Sequence, residues 1–313
     1  MMNISKRTLV REIQVTSILQ PSSDRLQVCS NEVSELAEGP LWKHSSQSLY
    51  WLDIINKKLF ERSFVTNEIS SWELPYTTTS MASDSSNPNV LWLISEEALL
   101  YFDITSGECR DVLSIALPKG YRTNDGSVGP DGKYWFGTMM NQPQPNKGNI
   151  FSIDKDRVIK LELEGIAIPN TFNWLNDGRL LLSDSLIQKS YFYKSNSSLD
   201  RGDAFLDLSD TLGTPDGGAV DEKGNIWIAL WGLGKVVCYS PEGKEIQEIS
   251  LPVPQPSSCC FGGIENDILF ITTAREGLTS AEIQKYPHSG KVFCIKLSVR
   301  GEPMNDFSLE LVC

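Results

Sequence analysis

The chain of 313 residues is 40% hydrophobic and 9% aromatic, which is enough apolar material to fill a substantial core. Its 28 Lys and Arg residues against 40 Asp and Glu residues give a formal charge of −12 at pH 7. This charge disfavours nucleic acid and anionic membranes as partners, because both need a basic contact face.

No apolar run approaches the roughly 20 residues that cross a bilayer, and the first residues lack the apolar core of a signal peptide. Seven cysteines are scattered along the chain without a C-x-x-C pair. A reduced compartment fits this pattern, so we expect a cytoplasmic protein. The adjacent Cys259 and Cys260 favour alternation along a strand, with one thiol on each face, over a vicinal disulfide.

Short strand-like runs follow one another along the chain, and no helical pattern separates them. Residues 1–25 resemble an extension ahead of the first repeat, with an outer strand expected at Glu12–Ile18. The later runs are rich in β-branched and aromatic residues and are bounded by Gly, Asn, Asp and Pro, which is typical of strands joined by tight turns. In chain order they are LYWLDI, KKLFERSF, SSWELP, LWLI, YWFGTM, LLLSDS, KSYFYKS, NIWIALW, KVVCYS, DILFITTA and KVFCIKL.

One large apolar residue recurs at the centre of a run, with successive separations of 41, 43, 47, 45 and 43 residues. The six copies are Trp51, Trp92, Trp135, Leu182, Trp227 and Phe270. A period in the forties with several short strands per unit predicts an all-β, six-bladed β-propeller, in which four-stranded antiparallel blades surround a central tunnel. We assign residues 1–313 to this single domain, with residues 1–25 as its N-terminal extension.

The segments between the runs support the same architecture. Turns at 130–133 (PDGK), 176–179 (NDGR) and 222–225 (EKGN) place a Gly where a positive φ is needed. A propeller closes by pairing the two ends of its chain, so we expect Leu26–Cys29 to join the C-terminal sheet. The Pro-rich segment 141–149 should be a surface loop between the third and fourth blades, either a lid over a site or a plain connector.

Polar residues precede each central residue by 11 to 13 positions. They are Glu38, Ser80, Asn124, Asn170, Asp216 and Ser258. At equal phase they should begin the innermost strands and face one mouth of the tunnel. Two carboxylates and the amide oxygens are hard donors that suit a divalent cation. The competing interpretation is that polar residues line the tunnel because it is filled with water.

Other catalytic arrangements have less support. The two histidines, His44 and His288, lie in loop-like segments out of phase with the repeats, which argues against a Ser-His-Asp triad or a His-rich zinc site. The glycine pairs at 217–218 and 262–263 are not followed by a helix, so they indicate close strand packing rather than phosphate binding.

Six segments in a fixed order give the chain a resemblance to a known family. The segments are LAEGPLW with YWLDI, RTNDGSVGPDGKYWFGTM, IPNTFNWLNDGRLLLSDS, TPDGGAVDEKGNIWIALWG, SSCCFGG and ITTAREGLTSAEIQKYPHSGKVFCIKL. In this order they resemble the regucalcin/gluconolactonase family of six-bladed propellers, which includes bacterial sugar-acid lactonases. The similarity extends over nearly all of the chain after about residue 28.

The resemblance implies roles for particular residues. Glu38, Asn170 and Asp216 match the family's ligands for one divalent cation, with Ca²⁺ the preferred candidate and Zn²⁺, Mn²⁺ or Mg²⁺ as alternatives. Arg122 and Asn124 match residues linked with substrate binding. Two departures bear on substrate fit more than on the cation.

The first departure is Thr171, which stands where the family commonly has Gly. The second is Asn141, a further candidate substrate-binding residue, which stands where some members carry Glu.

These observations lead to one hypothesis and two rivals. The leading hypothesis is a metal-dependent lactonase that hydrolyses an aldonolactone such as gluconolactone, with Asp216 as general base. The first rival is a regucalcin-like calcium-binding regulatory protein with little turnover, and the second is a protein-binding propeller with an incidental tunnel. The expected partner is a small sugar lactone, without nucleic acid or membrane, and the expected assembly is a monomer or homodimer.

Overall fold

Six antiparallel sheets form a ring in the computed structural model, which describes residues 8–10, 25–195 and 199–309. Two short strands precede the first repeat, β1 (Thr8–Val10) and β2 (Gln27–Ser30). The first blade contains β3 (Ala37–Lys43), β4 (Ser48–Asp53), β5 (Lys58–Ser63) and β6 (Ile69–Glu73). The second contains β7 (Thr78–Ser83), β8 (Val90–Ser95), β9 (Ala98–Asp103) and β10 (Cys109–Ser114).

The remaining blades repeat this four-strand plan. The third contains β11 (Tyr121–Val128), β12 (Tyr134–Met140), β13 (Gly148–Ile153) and β14 (Ile159–Ile166). The fourth contains β15 (Pro169–Trp174), β16 (Arg179–Asp184), β17 (Lys189–Ser195) and β18 (Leu199–Asp207). The fifth contains β19 (Thr214–Val220), β20 (Ile226–Trp231), β21 (Lys235–Tyr239) and β22 (Glu245–Ser250).

The sixth blade closes the ring. It contains β23 (Pro256–Gly262), β24 (Ile268–Thr273) and β25 (Val292–Lys296), with a single helix among the described residues, α1 (Ser280–Lys285), before β25. Its fourth strand is β2, which pairs antiparallel with β25 and brings Val28 opposite Phe293. The predicted six-bladed propeller and its closure near Leu26–Cys29 are therefore confirmed.

The two ends of the chain extend beyond this repeat plan. β1 adds a fifth strand to the first blade by pairing with β6. The outer strand expected at Glu12–Ile18 lies outside the described residues, and the assignment of residues 1–313 to one domain stays a prediction. No helix in the described ranges is long and apolar enough to cross a membrane.

The predicted central residues lie on the second strand of each blade and are between 0% and 2% exposed. These strands are apolar on both faces because each blade is packed between two neighbours. At the junction of the last and first blades, for example, Trp42 stacks on Phe270 with ring centroids 5.4 Å apart. Cys260 lies on the side of β23 that faces blade one and Cys259 on the side that faces blade five, as the alternation predicted.

The turns that enter the second strands have the expected backbone. Gly132, Gly178 and Gly224 have φ values of 74°, 82° and 77°, a region that residues with a Cβ atom rarely adopt. In the second blade the Asp84 carboxylate also accepts a hydrogen bond from the Trp92 indole at 2.6 Å. Such a bond fixes the turn against the central residue.

The Pro-rich segment lies at a different position in the fold from the one predicted. Residues 141–147 are exposed, as expected of a surface loop, but they join β12 to β13 inside the third blade. The prediction that the segment separates the third and fourth blades is wrong. The reason is that two further strands, β13 and β14, follow it in the same sheet, so the boundary between the third and fourth blades falls after Ile166.

The chain after β25 crosses one end of the ring. We call the end at which the innermost strands begin the upper mouth, and the end at which they finish the lower mouth. At the lower mouth the Glu302 amide donates to the Val220 carbonyl at 2.9 Å, and the Phe307 amide donates to the Ser83 carbonyl at 2.9 Å. Between them, the Asn305 side chain donates to the last carbonyl of β11 at 3.0 Å. Residues 301–307, the C-terminal strap, thus connect blades five, three and two.

Burial of one aromatic side chain anchors the strap. Phe307 is fully buried and packs edge-on against Trp92 and Tyr134, with ring centroids 5.8 and 5.5 Å apart. Above the strap, the tunnel interior holds a cavity of about 120 Å³, lined by the innermost strands and by Met304. The strap therefore covers the lower mouth.

Candidate active site

Every innermost strand contains a register shift close to the upper mouth. The shifts fall between Glu38 and Leu41, Thr78 and Ser80, Thr123 and Gly126, Asn170 and Asn173, Pro215 and Gly218, and Pro256 and Ser258. A β-bulge breaks the alternation of side chains and re-aims those around it. The polar residues of the repeat sit at these bulges.

A cavity of about 350 Å³ opens at the upper mouth. Its lining includes all six residues that the sequence proposed for the site: Glu38, Arg122, Asn124, Asn141, Asn170 and Asp216. Apolar side chains such as Ile54, Met139 and Trp231 complete the wall. The cavity therefore combines a polar floor with partly apolar walls, an arrangement common in small-molecule sites.

Two of the six in-phase polar residues do not line this cavity. Ser80 points below it and accepts a hydrogen bond from the Tyr134 hydroxyl at 3.1 Å, and Thr79 lines the cavity in its place. Ser258 packs against Gly217, whose absent Cβ atom would lie 2.1 Å from the serine hydroxyl. The expectation that all six converge is wrong for these two blades, in which the register shift skips one residue, whereas in the other four blades it skips two.

A chain of hydrogen bonds orders the polar floor. Arg122 Nη1 donates to Asn124 Oδ1 at 2.7 Å, and Asn124 Nδ2 donates to Asn170 Oδ1 at 2.8 Å. Asn170 Nδ2 donates to Ser185 Oγ at 2.8 Å, and that hydroxyl donates to the Pro215 carbonyl at 2.6 Å. Each amide is held from both sides, so the orientation of the two oxygens is fixed across blades three, four and five.

Two backbone positions beside the proposed cation ligands are left-handed. Gly39 follows Glu38 with φ 53°, and Thr171 follows Asn170 with φ 58°. A β-branched residue is unfavourable in this region. The Thr171 hydroxyl compensates by donating to the Asp216 carbonyl and by accepting a bond from Ser183 Oγ at 2.8 Å. Thr171, in place of Gly, therefore keeps the turn and adds a hydrogen bond to the neighbouring blade.

Buried negative charge dominates the electrostatics of the cavity. Burial, followed by the charge of Asp125, raises the pKa of Glu38 to about 8. Burial and then the charge of Glu38 raise the pKa of Asp216 well above its ordinary value. Burial also raises the pKa of Asp125 to about 6, against backbone amides that favour its charged form. These carboxylates repel one another and have little water to solvate them.

This donor set fits a hard divalent cation. Within the described ranges no three His, Cys, Asp or Glu side chains are grouped to hold a metal ion. The candidate set is instead two carboxylates, Glu38 and Asp216, with the fixed amide oxygen of Asn170. A cation would relieve the penalty that raises both pKa values, and oxygen donors of this kind suit Ca²⁺ or Mg²⁺.

Asp125, Ser185 and Glu276 are among the lining residues that were not anticipated from the sequence. Asp125 and Ser185 belong to the polar floor, and Glu276 stands at the rim. Asp125 directly follows Asn124, so strict alternation would have turned it away, and only the bulge brings both to the cavity. The two histidines, His44 and His288, are absent from the lining, in agreement with the sequence analysis.

Comparisons with known proteins identify the family of this chain. The chain matches the family described as SMP-30/Gluconolactonase/LRE-like region over residues 36–275. It belongs to this family. Within the gluconolactonase-like family, a protein named L-arabinolactonase from Azospirillum brasilense is 30% identical over 264 residues, which cover 82% of this chain and 87% of that protein. Regucalcin of Oryctolagus cuniculus is 28% identical over 299 residues, covering 90% and 98%.

A solved structure of the family confirms the fold. A calcium-binding protein, regucalcin, from Agrobacterium tumefaciens superposes with a TM-score of 0.85 and 26% identity, covering 90% of this chain and 97% of that one. The resemblance inferred from the sequence motifs is therefore confirmed.

Proposed function

We propose that the protein is a metal-dependent lactonase that hydrolyses a sugar lactone, such as gluconolactone, to the free sugar acid. Its membership of the gluconolactonase-like family makes it a hydrolase of carboxylic ester bonds in lactones. The observation that carries the proposal is the convergence of Glu38, Asn170, Asp216 and Arg122 in one cavity. A cavity of about 350 Å³ is of the size that encloses a small cyclic substrate.

Asp216 and Arg122 have different proposed roles in hydrolysis. Asp216 lies in the cavity with a carboxylate of raised pKa, which suits a general base that takes a proton from the attacking water. Arg122 uses Nη1 to hold Asn124, and its other N–H groups have no partner among the described residues. They are free to donate to substrate hydroxyls or to the oxyanion that develops as water adds to the carbonyl.

Glu38, Asn170 and Asp216 would hold the cation, with Ca²⁺ the preferred ion and Zn²⁺, Mn²⁺ or Mg²⁺ as alternatives. When bound, such an ion supplies a Lewis acid for the lactone carbonyl and lowers the pKa of water. The protein's own contribution is to place these oxygens rigidly, since Asn124 and Ser185 grip the Asn170 amide from both sides. Asn141, on the exposed loop of the third blade, completes the proposed substrate contacts.

A pH-stat assay tests this function. Protein stripped with a chelator is offered gluconolactone, xylonolactone, arabinonolactone and γ-butyrolactone, with each cation added back separately. We expect acid release from at least one sugar lactone above the spontaneous rate without protein, and this excess should depend on added cation and stop on chelation. An excess that is indifferent to the chelator would refute the metal dependence, and no excess with any lactone would refute the lactonase.

A second candidate function is calcium binding without turnover. It is favoured by the likeness to a protein described as calcium-binding. Calorimetric titration with Ca²⁺ beside the same assay separates the two: binding without acid release from any lactone would support the regulatory role.

A further inference from the structure

Glu276 occupies a position in the cavity that the reaction outlined above does not use. It follows β24, on the short connection that leads to α1, and its side chain lines the rim of the upper mouth. The residue is exposed, whereas the carboxylates of the floor are buried or half-buried. It therefore faces incoming solute rather than the protein interior.

The backbone that carries Glu276 is held firmly. The amides of Arg275 and Glu276 both donate to the Glu35 carbonyl, at 3.0 and 3.1 Å. The Gln255 side chain donates to the Glu276 carbonyl at 3.2 Å, and Arg275 Nε pairs with the Glu35 carboxylate at 2.9 Å. The rim is thus fixed to the first blade, and the Glu276 side chain projects from a rigid base.

The Glu276 carboxylate itself makes no hydrogen bond or ion pair with any residue that the structure describes. Its negative charge nevertheless affects Arg122, which also lines the cavity. Burial lowers the pKa of Arg122, and the negative charge of Glu276 is the strongest of the charges that oppose this effect. An acceptor without a partner and a guanidinium with unused donors therefore face the same space.

The complementary position across the cavity is neutral. Asn141, on the third blade, presents an amide, whereas Glu276, from the sixth blade, presents a carboxylate. A carboxylate is a strong acceptor for hydroxyl groups and is able to receive two of them at once. This chemistry matches a ring that carries adjacent hydroxyls.

We propose that Glu276 is a specificity-determining residue that accepts hydrogen bonds from ring hydroxyls of a polyhydroxylated lactone while Arg122 donates to the same substrate. The inference rests on the proposed lactonase function and extends it to the substrate class. Glu276 favours sugar lactones over lactones without hydroxyl groups, because only sugar lactones offer hydroxyl donors to its unpaired carboxylate.

The test compares Glu276→Gln with the parent protein on two substrates, glucono-δ-lactone and δ-valerolactone, which have the same ring size. Gln keeps the shape but loses the charge, so kcat/KM for gluconolactone should fall roughly 10- to 100-fold, the usual effect of a charged hydrogen bond. Most of the loss should appear in KM, and the loss on δ-valerolactone should be several times smaller. Glu276→Asp should recover part of the gluconolactone activity.

Glu265→Gln is the matched control, because this exposed carboxylate pairs with Arg300 and is absent from the lining of the upper cavity. It should leave both substrates as in the parent. Equal losses on the two lactones in Glu276→Gln would overturn the proposal, since they would indicate a general effect on Arg122. An unchanged KM for gluconolactone would overturn it as well. A parent protein that hydrolyses none of the lactones in the pH-stat panel would instead refute the lactonase function itself.

Discussion

Asp216 carries two proposed tasks, and both depend on its negative charge. As a cation ligand it offers an oxygen, and as a general base it offers a place for a proton. Asn retains the oxygen and removes the place for the proton. The two tasks are therefore separable by a single substitution.

We expect Asp216→Asn to bind the cation moderately more weakly and to lose about 10²–10⁴-fold in kcat even at saturating cation, the usual effect of removing a positioned base. Steady-state kinetics over a range of cation concentrations measures this, with the exposed Asp210→Asn as control. Recovery of a near-parent kcat at high cation would contradict the base role and leave Asp216 as a ligand alone.

Arg122 is the second residue whose role follows from its donors. Its guanidinium holds Thr123 and Asn124 through one nitrogen and keeps the others free. Lys retains the charge but concentrates its donors at one point, so it cannot do both. Arg122→Lys should therefore lower kcat/KM about 10-fold on gluconolactone and less on γ-butyrolactone. Arg110→Lys, at an exposed site in the second blade, is the control; equal losses on both lactones would argue against direct contact.

Some residues of the site were predictable from the sequence and others were not. Glu38, Asn170 and Asp216 were found by their phase because the repeat places the start of every innermost strand at the same mouth. Asp125 was not found, since only a bulge brings two consecutive side chains to one side. Glu276 was missed for another reason: it lies beyond a strand, on a connection whose path no repeat specifies.

Among the structural elements, the strap could not be predicted from the sequence repeat. It contains no strand of its own and follows the last run of the sixth blade, yet it contacts blades five, three and two. Its path depends on where three distant blade ends happen to meet. The loop at 141–147 was misplaced for a related reason, because the spacing of the central residues does not show which sheet the strands after the loop join.

We expect Phe307→Ala to lower the free energy of unfolding by about 3–5 kcal/mol, because the ring is fully buried against Trp92 and Tyr134. Urea unfolding followed by tryptophan fluorescence measures this. Met304→Ala, at a side chain that is 45% exposed, should cost less than about 1 kcal/mol. The folded fraction of Phe307→Ala should keep its kcat, since the proposed site lies at the other mouth. A loss below about 1 kcal/mol in Phe307→Ala would show that the strap is not anchored by this ring.

For the whole molecule, the carboxylates of the cavity link stability to pH. Glu38 has an ordinary pKa of 4.5 that burial raises to about 8 in the fold. Between these values the unfolded chain has lost the proton that the folded protein keeps. The free energy of unfolding of the metal-free protein should therefore decrease as pH rises through this window.

Urea titrations between about pH 5 and pH 8, with chelator and with saturating Ca²⁺, measure this slope. Cation should remove most of the decline, because it favours the charged carboxylates, and cation affinity should increase over the same window. Glu38→Gln should flatten the metal-free profile and weaken cation binding. A metal-free protein whose stability rises from pH 5 to pH 8 would contradict the assignment.

The architecture of the whole ring was predictable because one signal recurred six times. The central residues from Trp51 to Phe270 kept their spacing, and a regular period leaves few other folds. Closure near Val28 was predictable because an open ring would expose strand edges. The depth of the tunnel, by contrast, was not predictable, because it is set by the strap.

The proposed site opens at the upper mouth, the end of the ring that the strap leaves free, so substrate and product would both pass the same rim. A lactone arrives uncharged, whereas the acid formed from it leaves as an anion. The rim carries the exposed Glu276 carboxylate, which accepts hydrogen bonds from the hydroxyls of the arriving ring but repels the charge of the departing acid. An acidic rim thus favours clearance of the product acid through the opening that admitted the neutral substrate.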